Sequence, residues 1–283
     1  MTTTFSSPGS VPYVSRTTFV PTGSGLSAAG IIRSEWIKLR SLRSTAWSFA
    51  LMVLVSLGMA TIMSLSLDLQ GGGGALSSSE QASYLAQAST FGVFFGQLIA
   101  AVLGVLVISG EYSTGMIKST LTAAPRRLSA LWAKAAVLFV STFVVGAVAT
   151  IGSFLIASPI LAGQDLHASL FDPDVISALL GGALYLAFVS VFALAIGAIL
   201  RSSAGGIAAA LGIILLLPIV LQMIPAEWAG DLLPYLISNA GMGMFGLTMG
   251  AVSLEWWQNL LIVLGWLAAS LAAAAVLLKR RDA

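Results

Sequence analysis

The sequence predicts an all-α polytopic membrane protein with six transmembrane helices, and three observations carry that prediction. The 283 residues are 58% hydrophobic and only 8% charged, whereas a soluble domain carries about 25% charged residues. Six segments, 47–67, 91–109, 135–156, 175–200, 204–224 and 256–278, contain no Asp, Glu, Lys, Arg or His. Each is close to the ~20 apolar residues that a helix needs to cross a ~30 Å hydrocarbon layer while satisfying its own backbone. Finally, the charges separate by side. Thirteen Lys and Arg and three acids (Glu35, Glu111, Asp282) fall on one side of a six-span topology, a net of +10. The connections 68–90, 157–174 and 225–255 hold the other eight acids and no Lys or Arg, a net of −8. Basic residues are retained inside, so both termini are expected to be cytoplasmic, in a multi-pass protein of the cell membrane. The absence of cysteine excludes disulfides, thiolate metal sites and Cys nucleophiles.

Along the chain, residues 1–25 are rich in Ser, Thr, Pro and Gly with one charge, Arg16, and read as a flexible cytoplasmic tail without a signal-peptide pattern. Residues 26–283 form the membrane domain. Between Leu26 and Arg43, Ile31, Ile32, Trp36, Leu39 and Leu42 recur at helical spacing, with Arg33, Lys38 and Arg40 mostly opposite. That pattern predicts an interfacial helix on an anionic inner leaflet, with Ile32, Trp36, Lys38, Leu39 and Arg40 as its characteristic residues. Glu35 and Arg43 intrude on its apolar arc. After the first span, the Gly71–Gly74 run lacks the Lys-Ser/Thr ending of a phosphate-binding loop and reads as a link.

In the second span, Gly92, Gly96, Ala100 and Gly104 make a small-residue ladder, which lets helices approach closely. Gln97, Tyr185 and Gln222 are polar residues in otherwise uncharged spans, candidates for substrate contact or for interhelical hydrogen bonds. The connection from Gly110 to Arg127 is too polar to cross a membrane and too long for a minimal turn. Ser113 or Thr114 is placed to cap a short helix with Met116, Ile117, Thr120 and Leu121 on one face, stopped by Pro125. Segment 225–255 is too apolar for a free loop and too interrupted by Pro225 and Pro234 for a span. It reads as a re-entrant or interfacial helical hairpin, with Trp228 and Tyr235 at headgroup depth. Met242, Met244 and Met249 read as adaptable apolar packing, and no metal site is expected.

Uncharged spans argue against a proton-driven carrier, which would bury ionisable relays. No G-x-x-x-x-G-K-[ST] sequence occurs, so ATP chemistry has to come from another chain, and no residue here is expected to be catalytic. An intramembrane enzyme would need a metal cluster or a nucleophile–base pair that the spans do not contain.

Three stretches resemble the permease subunits of ABC-2-type transporters, especially the short actinobacterial ones. They are the basic amphipathic stretch from Arg33 to Ser44, then Gly110-Glu111-Tyr112-Ser113-Thr114-Gly115 followed by Thr120-Leu121 and Pro125-Arg126-Arg127, and Leu233 to Gly241 with the basic end Lys279-Arg280-Arg281-Asp282. The resemblance implies that the connection after the second span carries a coupling helix, assigning ATPase coupling to Glu111, Tyr112, Ser113, Thr114, Gly115, Met116, Ile117, Lys118 and Leu121. It implies a cytoplasmic ATPase partner holding ATP and Mg, and a second membrane protomer. The ladder with Gln97 would then line either packing within one chain or a dimer seam and substrate path. It also implies an outer gate around Pro234, Tyr235 and Asn239. The expected function is an ATP-driven exporter of hydrophobic or amphiphilic compounds such as drugs, antibiotics, lipids or peptides. The alternative is a sensor or immunity subunit for a membrane-active peptide. Lipids are expected neighbours and nucleic acid is not an expected partner.

Overall fold

The structure, a computed structural model, describes residues 27–67, 76–113, 115, 127–247 and 254–280. The N-terminal tail and most of the connection 114–126 lie outside them. Among the described residues every regular element is helical, and six helical segments are long and apolar enough to cross a membrane: Arg43–Ser66, Ser78–Ser113, Leu128–Ala162, Pro173–Leu200, Ser203–Gln222 and Trp256–Arg280.

Helix α1 (Ala28–Ser41) starts at Ser27, whose side chain accepts from the Gly30 N–H, and breaks at Leu42 in extended backbone before α2 (Arg43–Ser66) begins. The second span is two helices. Helix α3 (Ser78–Thr90) opens with a capping box, in which Ser77 Oγ and Glu80 reciprocally satisfy first-turn N–H groups. It meets α4 (Val93–Ser113) at a turn through Phe91 and Gly92. The sequence reading leaves 68–90 as an outer connection. Its Ser, Gln and Ala content hides a helix whose Ala82, Leu85, Ala86 and Ala88 are buried.

Helix α5 (Arg127–Ala162) starts eight residues before the expected third span and so takes Lys134 into the helix. Helix α6 (Pro173–Leu200) is the most enclosed, touching α3, α4 and α5. The fifth span is α7 (Ser203–Leu211), a π-helical turn Gly212–Leu216 and α8 (Leu217–Gln222). Pro218 has no N–H to give, and its ring would strike the Ile214 carbonyl in a regular turn, which accounts for the widened turn just before it. Beyond it lie the short α9 (Glu227–Leu232), a 3₁₀ turn Leu233–Tyr235 and α10 (Ile237–Gly243), which packs on α6 and on the last helix, α11 (Trp256–Arg280).

The ladder of the second span is used inside the chain. A methyl group on Gly92 would run into the Ser56 backbone of α2, one on Gly104 into the Ser190 carbonyl of α6, and one on Gly96 would press on Leu186. Ala100 is fully buried. Gln97 and Tyr185, both buried, meet each other: the Tyr185 hydroxyl donates to Gln97 Oε1 at 2.5 Å, and Gln97 Nε2 donates to the Phe94 carbonyl. Tyr185→Phe is expected to cost about 0.5–2 kcal/mol in detergent unfolding, the range for interhelical hydrogen bonds in membranes. The Tyr185→Phe/Gln97→Leu double variant should recover part of that loss, because it leaves no orphaned amide.

Candidate functional site at the basic end of the bundle

Four ionisable side chains converge where α1, α4 and α5 meet. Glu35 and Lys38 stand one turn apart on α1, Glu111 is in the last turn of α4, and Lys134 is two turns into α5. Lys134 Nζ lies 2.5 Å from Glu35 Oε2 and 2.8 Å from Glu111 Oε1. Lys38 Nζ lies 2.7 Å from Glu35 Oε1 and 3.1 Å from Glu111 Oε1. Each ammonium therefore holds both carboxylates, closing a neutral ring across three helices. Only Lys38 reaches the surface, at 27% side-chain exposure against 3–8% for the other three. Its partial burial works against the charge, but the hydrogen bond to Glu35 and the charges of Glu111 and Glu35 outweigh that. The Lys38 pKa consequently stands above the ordinary lysine value. Beside the ring is a cavity of about 410 Å³ whose walls include Leu106, Val107 and Val137.

The opposite flank of α4 is held as well. Arg201 caps α6 in a left-handed conformation (φ 53°) and sets its guanidinium 5.3 Å from the centre of the Tyr112 ring, a cation–π distance. Ser203 Oγ donates to Ser109 Oγ at 2.8 Å. Gly115, at φ 72°, receives the end of α4, its N–H donating to the Tyr112 carbonyl.

Of the residues assigned to coupling, Glu111, Tyr112 and Ser113 are thus the final helical turn of α4, and Gly115 terminates it. Thr114, Met116, Ile117, Lys118 and Leu121 lie outside the described residues. On α1, Lys38 joins the ring and Leu39 is buried, while Ile32, Trp36 and Arg40 are exposed. At the far end, Asn239 Nδ2 donates to the Leu233 carbonyl, Trp266 Nε1 donates to the Tyr235 carbonyl, and Pro234 sits in the 3₁₀ turn between them. Sequence reasoning missed Glu35 and Lys134 as partners. The available signals were an acid on the apolar arc of α1 and a lone lysine at the foot of an apolar helix.

A profile of the family described as ABC-2 family transporter protein matches residues 29–283, which take in every helix above save the first residue of α1. The chain belongs to that family. No curated protein matches it. As an ABC-2 family member it is a multi-pass permease subunit of an ABC transporter, and membership of that family, whose members are generally not catalytic, implies pairing with an ABC ATPase. The ring of charges lies at the root of the connection after the second span of this ABC-2 chain.

Proposed function

We propose that the chain is the permease subunit of an ATP-driven exporter of hydrophobic or amphiphilic compounds, with its basic end and both termini in the cytoplasm. A separate ATPase subunit, which binds ATP and Mg, docks on the connection that follows Gly115, and a second permease protomer completes the path. The carrying observation is the anchorage of α4. A segment that transmits a push has to be rooted in rigid elements, and the last turn of α4 is bound to α1 and α5 by the charge ring and to the α6–α7 turn by Arg201 and Ser203. The ladder faces α2 and α6, so the seam between protomers draws on another face. Pro234, Tyr235 and Asn239 form the outer gate in this reading.

Co-purification with the cognate ATPase should give vanadate-sensitive turnover that substrate stimulates. Two glycines inserted after Gly115 should leave the complex assembled and abolish the stimulation. Unchanged stimulation would remove the coupling assignment, and a well-folded chain that binds no ATPase would remove the reading altogether. Export of a labelled amphiphile from proteoliposomes separates an exporter from a sensor or immunity subunit.

A further inference from the structure

Helices α2 and α5 both leave the basic end and run side by side, and an open groove follows their junction. Two contiguous cavities of about 370 and 460 Å³ make it up, sharing Phe49, Val144 and Val145. Its two ends differ in chemistry. The mouth is lined by Trp36 and Arg40 of α1 with Thr45 and Ser141 beneath, whereas the far end is aliphatic out to Leu57 and Val148. From Thr45 to Leu57 is twelve residues, about 18 Å of helix, against roughly 15 Å for one leaflet of a ~30 Å hydrocarbon core. Arg33 stands two turns before Arg40 on the same face of α1, exposed like Arg40, and Trp36 between them is 47% exposed. The Thr45 hydroxyl, buried at the mouth, has no hydrogen-bond partner among the described residues.

We infer that this groove is a binding site for one anionic phospholipid of the inner leaflet, with its phosphate between Arg33 and Arg40 and one acyl chain along Phe49, Val144 and Val148. Charge complementarity selects this occupant: two guanidiniums and an indole at headgroup level suit an anionic head, and an aliphatic channel one leaflet deep suits its tail. The site deepens the membrane orientation given above, with the basic end inward, but makes no use of transport or of an ATPase.

The test is native mass spectrometry of the full-length chain released from detergent, after incubation with phosphatidylglycerol or with phosphatidylcholine of identical acyl chains. One phosphatidylglycerol per chain should be retained in preference to phosphatidylcholine. The Arg33→Gln/Arg40→Gln variant should lose that preference, weakening phosphatidylglycerol retention by roughly thirtyfold. Val144→Trp should fill the groove and release the lipid with both arginines intact. Circular dichroism and thermal melts confirm that the variants are folded, and should one be misfolded, Val148→Trp repeats the test farther along the channel. Equal retention of the two lipids by the wild-type chain would overturn the site. So would a disulfide between cysteines placed at Leu54 in two copies that forms while lipid is excluded, since it would give the groove to a second protomer. Outside labelling of a cysteine at Arg40 in intact cells would instead refute the orientation, and with it the inner-leaflet source of the lipid.

Discussion

Lys134→Ala is expected to lower the unfolding free energy by about 3–5 kcal/mol, because it strips a buried ammonium from two buried carboxylates and leaves Lys38 alone to balance both. Thermal or denaturant melts in one detergent, followed by circular dichroism, read the loss. The same chemistry predicts its rescue. Exchanging the charges, Lys134→Glu with Glu111→Lys, should recover only part of what either reversal costs alone, since the two keep opposite signs toward each other but the new carboxylate faces Glu35 and the new ammonium faces Lys38. A Lys134→Met/Glu111→Met chain should come closer still to wild-type stability, because apolar groups of similar volume incur no desolvation penalty. These two repaired chains separate stability from transmission. If the ring anchors the coupling connection, the apolar pair folds yet shows reduced substrate-stimulated turnover, because the tie from α4 to α1 is gone. An unchanged melt for Lys134→Ala would show that the ring is screened by water and anchors nothing.

Gly104→Ala should be the most damaging single methyl in the spans. The added carbon meets the Ser190 backbone carbonyl rather than a side chain that could turn aside, so α4 and α6 must separate along the buried seam. Overpacking of this kind costs about 1–3 kcal/mol. Gly58→Ala and Gly265→Ala form the matched contrast: nothing lies within 4 Å of a methyl at either position, and alanine is the better helix former by roughly 1 kcal/mol. Melts of the three variants should rank Gly104→Ala well below wild type and the other two at or above it. Equal melts would mean that α4 and α6 are not packed as described.

Six spans were legible in the sequence because hydrocarbon admits no unsatisfied backbone, so length and apolarity alone mark a crossing. Their ends were less legible. Lys134 reads as a border residue until an acid from another helix is brought to it, and that partner is 99 positions away in sequence. Glu35 spoils the amphipathic pattern of α1 for the same reason: what looks like an intrusion on the apolar arc is the face that meets α5, while Ile32 and Trp36 face outward. Helix α3 was hidden by composition, although Ser77 and Glu80 carry the capping spacing that marks its start. The small-residue ladder was readable as a close-approach surface but not by destination, because glycine spacing states that a neighbour comes near and not which one.

The π-helical turn at Gly212–Leu216 bears on how such a bundle changes shape. Bending a regular span strips carbonyls of their partners in a medium that has no water to replace them. The fifth span has already traded its regular bonds for wider ones halfway along its length, and a methyl group at Gly212 would meet nothing within 4 Å. Flexing there exchanges one irregular bonding pattern for another, whereas the same flex in α6 would break an intact ladder against neighbours on several sides. Such a domain is expected to yield most readily at the middle of the fifth span and least in the enclosed α6.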